Sequence, residues 1–170
     1  MKFSTLLAAA IVTVAAIPAS AATFTVDAKD NTVYSGQLAT GLTFAAGDTF
    51  TVTTAADDLW SMDYRLPYKD ANANGNTAYW AFEHGGLTAW IGTLVGRIGS
   101  SYFALGTDVT VTAAEAGELY LFAWDSNIGD NAGSIAVNVE TPAAVPLPAT
   151  ALLLLGGLGG IATLRRKRTA

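Results

Sequence analysis

Hydrophobic and polar side chains alternate through the middle of this chain. Thr23-Phe24-Thr25-Val26 sets the pattern, with every second residue apolar, which is the period of a strand that buries one face. The alternation returns in Thr49-Phe50-Thr51-Val52-Thr53, Val109-Thr110-Val111-Thr112, Leu119-Tyr120-Leu121-Phe122 and Ser134-Ile135-Ala136-Val137-Asn138-Val139. Turn-forming clusters separate these runs: Ala46-Gly47-Asp48, Leu105-Gly106-Thr107-Asp108, Glu115-Ala116-Gly117-Glu118 and Asn127-Ile128-Gly129-Asp130-Asn131. Short strands at such intervals predict an all-β fold, an antiparallel β-sandwich or jelly roll. Residues 69–77 follow no period and carry Asp70, Asn72, Asn74, Gly75 and Asn76, so a long surface loop is expected there. Thr141-Pro142-Ala143-Ala144 reads as a linker.

The two ends are patterned differently. Lys2, an apolar stretch over residues 6–17, Pro18 and Ala19-Ser20-Ala21 have the layout of a secretory signal peptide with an A-x-A cleavage site, which places the mature start at Ala22. Near the other end stand Val145-Pro146-Leu147-Pro148-Ala149, an apolar run over residues 150–164, and Arg165, Arg166, Lys167 and Arg168. Prolines keep a segment extended, and about eighteen apolar residues are the least that cross a bilayer at roughly 1.5 Å per residue. The cations belong on the cytoplasmic side. The expected organisation is a signal peptide (1–21), a β domain (22–140), a linker (141–146) and a sorting segment (145–170). That segment carries a transmembrane helix at about 147–164 and its basic end at 165–168.

This tail resembles the VPLPA-CTERM sorting signal, a variant of the PEP-CTERM signals handled by exosortases in Gram-negative bacteria. The resemblance implies processing by an exosortase-type enzyme near the proline motif. It also implies transient anchorage in the inner membrane with the C-terminus cytoplasmic, then delivery of the body to the cell surface or extracellular matrix. A plain tail anchor is the alternative.

Between the ends lie about 120 residues, enough for one domain with a core of its own. All fourteen acidic residues fall there, against only Lys29, Arg65, Lys69 and Arg97, so the body carries a formal charge of −10. Such a surface repels phosphate backbones, which excludes nucleic acid as an expected partner and leaves neutral polymers and divalent cations. The chain has no cysteine, so thiolate chemistry, Cys-ligated zinc and disulfide staples are all ruled out.

The richest candidate for chemistry is the connection from Trp124 to Ser134. Asp125, Asn127, Asp130 and Asn131 put four potential oxygen donors into one glycine-containing loop, the hard donor set that Ca2+ prefers. Asp, Asn and Gly are also the ordinary material of solvated turns, and composition leaves that alternative open. Gly92-Thr93-Leu94-Val95-Gly96-Arg97-Ile98-Gly99, then Leu119 to Asp125, then Gly129 to Val139, with Ala46 to Val52 and Trp60 preceding, look like the PA-IL-like bacterial galactose lectins. The resemblance implies a jelly-roll sandwich in which calcium bridges protein and sugar. It implies Asp125 as the carboxylate ligand, Asp130 and Asn131 in place of paired Asn ligands, and a backbone carbonyl from Asn127 or Ile128. A further carbonyl would come from near Asp63. The loop is about two residues shorter than the family's, Asp130 departs from its Asn, and the family's sugar-assisting His and Gln have no counterpart, so galactose is not implied.

Four tryptophans and six tyrosines offer faces on which a sugar ring could stack. Trp60, Trp90 and Trp124 lie in apolar, strand-like contexts and are expected to be buried, whereas Tyr79 and Trp80 border the polar segment and are expected to be exposed carbohydrate contacts beside Asp125 and Asp130. His84 is the only histidine, and no nucleophile elbow, HExxH helix or phosphate loop accompanies it, so no enzymatic activity is expected. The resulting expectation is an exported surface or matrix protein that binds an extracellular polysaccharide or glycan through a calcium loop. A structural surface protein without a specific sugar ligand is the alternative.

Overall fold

The computed structural model describes residues 20–141; of the expected signal peptide only Ser20 and Ala21, and of the expected linker only Thr141, lie within them, and the whole sorting segment (145–170) lies outside the described residues. β1 (Ser20–Asp27), β12 (Ser134–Thr141), β3 (Thr49–Thr53) and β10 (Asp108–Thr112) form one four-stranded sheet in that order. β2 (Leu38–Phe44), β11 (Gly117–Ala123), β8 (Leu94–Ile98) and β9 (Ser101–Ala104) form a second. All the pairings are antiparallel, so the all-β sandwich expected from the alternation is the architecture found. β1 opens at Ser20, opposite Thr141 at the end of β12, and carries Ala21 and Ala22 on the same strand.

The period of two decides which face each residue takes. Val26, Phe50, Val52, Ile135, Val137 and Val139 of the first sheet meet Phe44, Leu94, Ile98, Leu119 and Leu121 of the second in one buried core. The outer face of the first sheet is a threonine face, where Thr51 and Thr110 share a hydrogen bond of 3.1 Å and Thr23 donates to Asn138 at 2.6 Å. Phe44 stacks on Phe50 at 4.3 Å between ring centroids, and Phe103 reaches Phe50 edge-on at 6.3 Å. Phe103 fits because its β8 partner is Gly96, where a Cβ would come within 2.5 Å of the Phe103 ring.

Two short ribbons complete the domain. The hairpin of β6 (Ala81–His84) and β7 (Leu87–Trp90) covers the outer face of the second sheet, burying Ala89, Val95 and Trp124 in a smaller apolar layer with Phe82, Leu87 and Tyr102. β4 (Trp60–Ser61) pairs with β5 (Asp70–Ala71). That second ribbon corrects the reading of residues 69–77 as a surface loop. Ala71 and Ala73 are buried in the main core, and Asn74 bridges Thr93, because small residues at alternate positions let this irregular segment lie against the sandwich.

Candidate cation and carbohydrate site

β11 belongs to one sheet and β12 to the other, so the connection between them crosses one end of the sandwich. Backbone hydrogen bonds tie it to three other segments there. Trp124 N–H donates to Thr93 and Trp124 accepts from Gly92, both at 2.9 Å. Ser61 and Ala132 exchange hydrogen bonds at 2.8 and 2.9 Å, and Gly133 accepts from Ala28 at 2.9 Å. Trp60, beneath them, donates its indole N–H to the Gly92 carbonyl at 2.9 Å. Trp124 is clamped from the other side: its ring stacks on Phe82 at 4.8 Å and its indole N–H reaches the Phe82 carbonyl at 3.2 Å. The residue after Trp124 is therefore held on both flanks.

That residue is Asp125, which is 2% exposed. Its Oδ1 accepts the Asn127 N–H at 3.0 Å, and its Oδ2 is buried with no hydrogen-bond partner among the described residues. Asn131, also buried, donates Nδ2 to the Ala28 carbonyl at 2.8 Å and leaves its Oδ1 equally unpartnered. Burial pushes the Asp125 carboxyl above its ordinary value, the Asn127 N–H and the nearby Asn131 side chain pull it back, and the charge of Asp130 adds to the rise. A buried carboxylate oxygen without a partner costs about 1–3 kcal/mol or more, so two orphaned acceptors in one loop call for a partner of positive charge.

Asn127 and Asp130 occupy the outer side of the loop. Asn127 Nδ2 donates to Asp130 Oδ1 at 2.8 Å, and Asn127 Oδ1 accepts from Gly129 N–H at 3.3 Å, which curls the loop around Ile128. Among the described residues no three His, Asp or Glu side chains gather into a metal cluster. A cation here would draw on two carboxylates at most, with amide and backbone carbonyl oxygens making up the remainder, and that mixed oxygen set fits calcium rather than zinc.

Asp63 is built into the structure differently. It is fully buried, and Arg65 grips its carboxylate through Nε at 3.0 and 3.2 Å and through Nη2 at 2.6 Å, while the Tyr79 hydroxyl donates at 2.7 Å. The Arg65 guanidinium, outweighing burial, holds this carboxyl well below the usual carboxylate range. The Tyr79 phenol is pushed up to about 12, by burial first and then by the hydrogen bond it donates to Asp63 and the charge of that carboxylate. The side chain of Asp63 is committed to Arg65. Only its carbonyl, which accepts from Ser61 Oγ at 2.9 Å, remains for the role the sequence suggests.

Among the aromatics, Trp80 is 57% exposed, and Tyr79 is half-buried between Trp80 at 4.1 Å and Tyr68 at 4.9 Å. Tyr79 thus supports Trp80 more than it offers a face of its own. Trp60 and Trp124 are buried as expected, but Trp90 is 42% exposed, because it lies on the outward side of β7 opposite the small Ala81. His84 sits among Tyr34, Tyr102 and Trp124, with Tyr34 hydroxyl 3.5 Å from its Nδ1. Arg65 stands only two residues after Asp63, whereas Tyr79, the third member of that cluster, comes fourteen residues after Arg65 and no periodicity in the sequence joins it to the pair.

No family model matches the chain, and no curated protein does. Among solved structures it is similar to one described as the EclA N-terminal domain, a PllA-like lectin. The TM-score is 0.53, with 22% sequence identity, over 70% of this chain and 94% of that one. At that identity the likeness speaks for architecture: residues 20–141 have the β-sandwich fold of a PllA-like lectin domain.

Proposed function

We propose that this domain binds carbohydrate through a calcium ion held by the loop between β11 and β12. The observation that carries the reading is the pair of buried, unpartnered oxygens, Asp125 Oδ2 and Asn131 Oδ1, in a loop that also brings Asp130 close enough to raise the Asp125 carboxyl. A divalent cation would satisfy both oxygens and neutralise the two carboxylates together. Asp130 and the carbonyls of Asn127 or Ile128 and of Asp63 are the further donors within the same end of the sandwich. When bound, calcium would supply open coordination positions for vicinal sugar hydroxyls. Asp125 and Asp130 would accept hydrogen bonds from those hydroxyls, and Trp80, propped by Tyr79, would give the ring's C–H face an apolar surface.

The same proposal places the domain outside the cytoplasm. The signal-peptide layout over residues 1–21 and the order of Val145-Pro146-Leu147-Pro148-Ala149, apolar run and Arg165 to Arg168 support export, transient inner-membrane anchorage and release by an exosortase-type enzyme to the surface or matrix. Retention on neutral polysaccharide resins, with calcium and with chelator, tests the binding reading. The expected result is that calcium adds retention over whatever persists in chelator and that Asp125→Ala abolishes this added part, and retention indifferent to both calcium and the variant would overturn the reading.

A further inference from the structure

A second site lies away from the β11–β12 loop. A cavity of about 320 Å³ opens between the end of β7, the end of β9 and the Asn74 bridge, and no residue of the segment 125–133 lines it. Its wall is Trp90, whose indole is 42% exposed because only Ala81 stands opposite it on the hairpin. Trp60 and Trp124 are buried completely, whereas Trp90 presents its side chain to the cavity.

The polar side of the cavity is rigid. Asn74 Nδ2 donates to Thr107 Oγ1 at 3.1 Å and its Oδ1 accepts the Thr107 N–H at 3.1 Å, with the Thr107 hydroxyl 3.5 Å away, so the amide is fixed with one N–H still free. Gly106 lies so near that a Cβ would meet Asn74 Oδ1 at 2.6 Å, and a Cβ on Gly75 would meet Thr93 Oγ1 at 2.5 Å. Both glycines have positive φ, +64° and +81°. The backbone thus closes tightly behind Asn74 and Thr93, and Thr88 adds an exposed hydroxyl at the rim.

Charge selects the ligand class. In a body with a formal −10, the residues lining this cavity include neither an acid nor a base. We infer that the Trp90 cavity is a second, calcium-independent carbohydrate site that takes a neutral, uncharged sugar ring. The ring's apolar C–H face packs on the Trp90 indole, and its hydroxyls meet the fixed Asn74 amide and the threonine hydroxyls. The volume lies at the small end of ligand sites, roughly 300–1,000 Å³, and suits one or two rings rather than a long chain segment. With a calcium site at the loop, such a cavity would make a single domain bivalent for polysaccharide, a geometry that cross-links strands instead of merely holding one. This inference stands on the cavity alone and does not require the calcium reading.

The test uses the full chain, 15N-labelled and kept free of sugar-based detergents, in excess chelator. Maltose, cellobiose and lactose are titrated at millimolar concentration, with glucuronate as an anionic control and cyclohexanol as an apolar one. The expected result is a saturable shift of the Trp90 indole N–H and of Asn74, Thr88 and Gly106 amides with at least one neutral disaccharide, and none with glucuronate. Trp90→Ala should weaken that binding at least about tenfold. Thr88→Arg, at an exposed position that the fold does not depend on, should abolish it while leaving the rest of the spectrum in place. Four results would overturn the inference: no shift with any disaccharide, shifts that persist in Thr88→Arg, shifts matched by cyclohexanol, or shifts that appear only in a parallel titration with calcium in place of the chelator and map to residues 125–131.

Discussion

Replacing Asp125 by Asn should raise stability without calcium and remove most of the stability that calcium adds. In chelator the wild-type protein buries Asp125 Oδ2 and Asn131 Oδ1 without partners. An amide at position 125 keeps an acceptor for the Asn127 N–H and removes the buried charge. Relieving an unsatisfied buried group is worth about 1–3 kcal/mol. For a domain of about 120 residues, where 1 kcal/mol moves Tm by roughly 4 °C, the calcium-free variant should melt roughly 4–12 °C above wild type. With calcium at a hundredfold excess over its Kd, wild type gains about 2.7 kcal/mol, or roughly 10 °C, and the variant gains little because a neutral amide binds the cation weakly. Differential scanning calorimetry in matched chelator and calcium buffers reads all four values. A variant less stable than wild type in chelator would refute the reasoning, since Asp125 Oδ2 would then have a favourable partner. An undiminished calcium response in the variant would refute the assignment of the ligand.

Other perturbations follow from the same geometry. Because burial raises the Asp125 carboxyl, the native calcium-free state favours the protonated acid. Its contribution is fully present below the unfolded carboxylate pKa and is lost as pH rises through the raised native one, whereas calcium binding weakens as pH falls through that range. Melting curves and calcium affinities between pH 4 and 7, read as trends of opposite sign, check this on the order of the ordinary carboxylate range. Asp63 has the reverse sign: its native pKa is lowered by Arg65, so its contribution is present above the unfolded value and is lost only in strong acid. Asp63→Ala should lower the Tyr79 phenol from about 12 toward the ordinary tyrosine value, seen as earlier phenolate absorbance in an alkaline titration. Gly92→Ala forces a side chain onto φ +82° and a Cβ to within 2.8 Å of the Ala71 methyl, beside the carbonyl that holds the Trp60 indole. A loss of about 1–3 kcal/mol or more is expected in urea unfolding. Trp80→Ala should reduce retention on polysaccharide without changing calcium affinity, because an indole on the surface supplies no oxygen donor to the cation.

The sandwich was legible wherever side chains strictly alternate. β1, β3, β10, β11 and β12 contain the runs that predict them, since in each the inward residues are large and apolar and the outward ones are mostly polar. β2 is harder to see because Thr40 takes an inward-side position and Gly41 interrupts the run, although Leu38, Leu42 and Phe44 keep the parity. The ribbons of β4 with β5 and of β6 with β7 were not readable, because their pairing rests on contacts with Ala132, Thr93 and Trp124 from elsewhere in the chain. Trp90 looked like a core residue because its neighbours Ala89 and Ile91 are apolar, yet those two are the buried ones and parity puts Trp90 outside. At the candidate site, the donor residues could be named from composition, but their difference could not. Asp125 and Asn131 are buried and unpartnered while Asn127 and Asp130 satisfy each other, and that division depends on Ala28, Ser61 and Thr93, which lie 97, 64 and 32 positions before Asp125 in the chain.

Calcium titration of the purified protein by isothermal calorimetry, beside Asp125→Ala, addresses the central claim most directly. A saturable heat in wild type that the variant lacks is the predicted result and makes the β11–β12 loop a metal site. An absence of heat in both proteins, or the same heat in both, would contradict it.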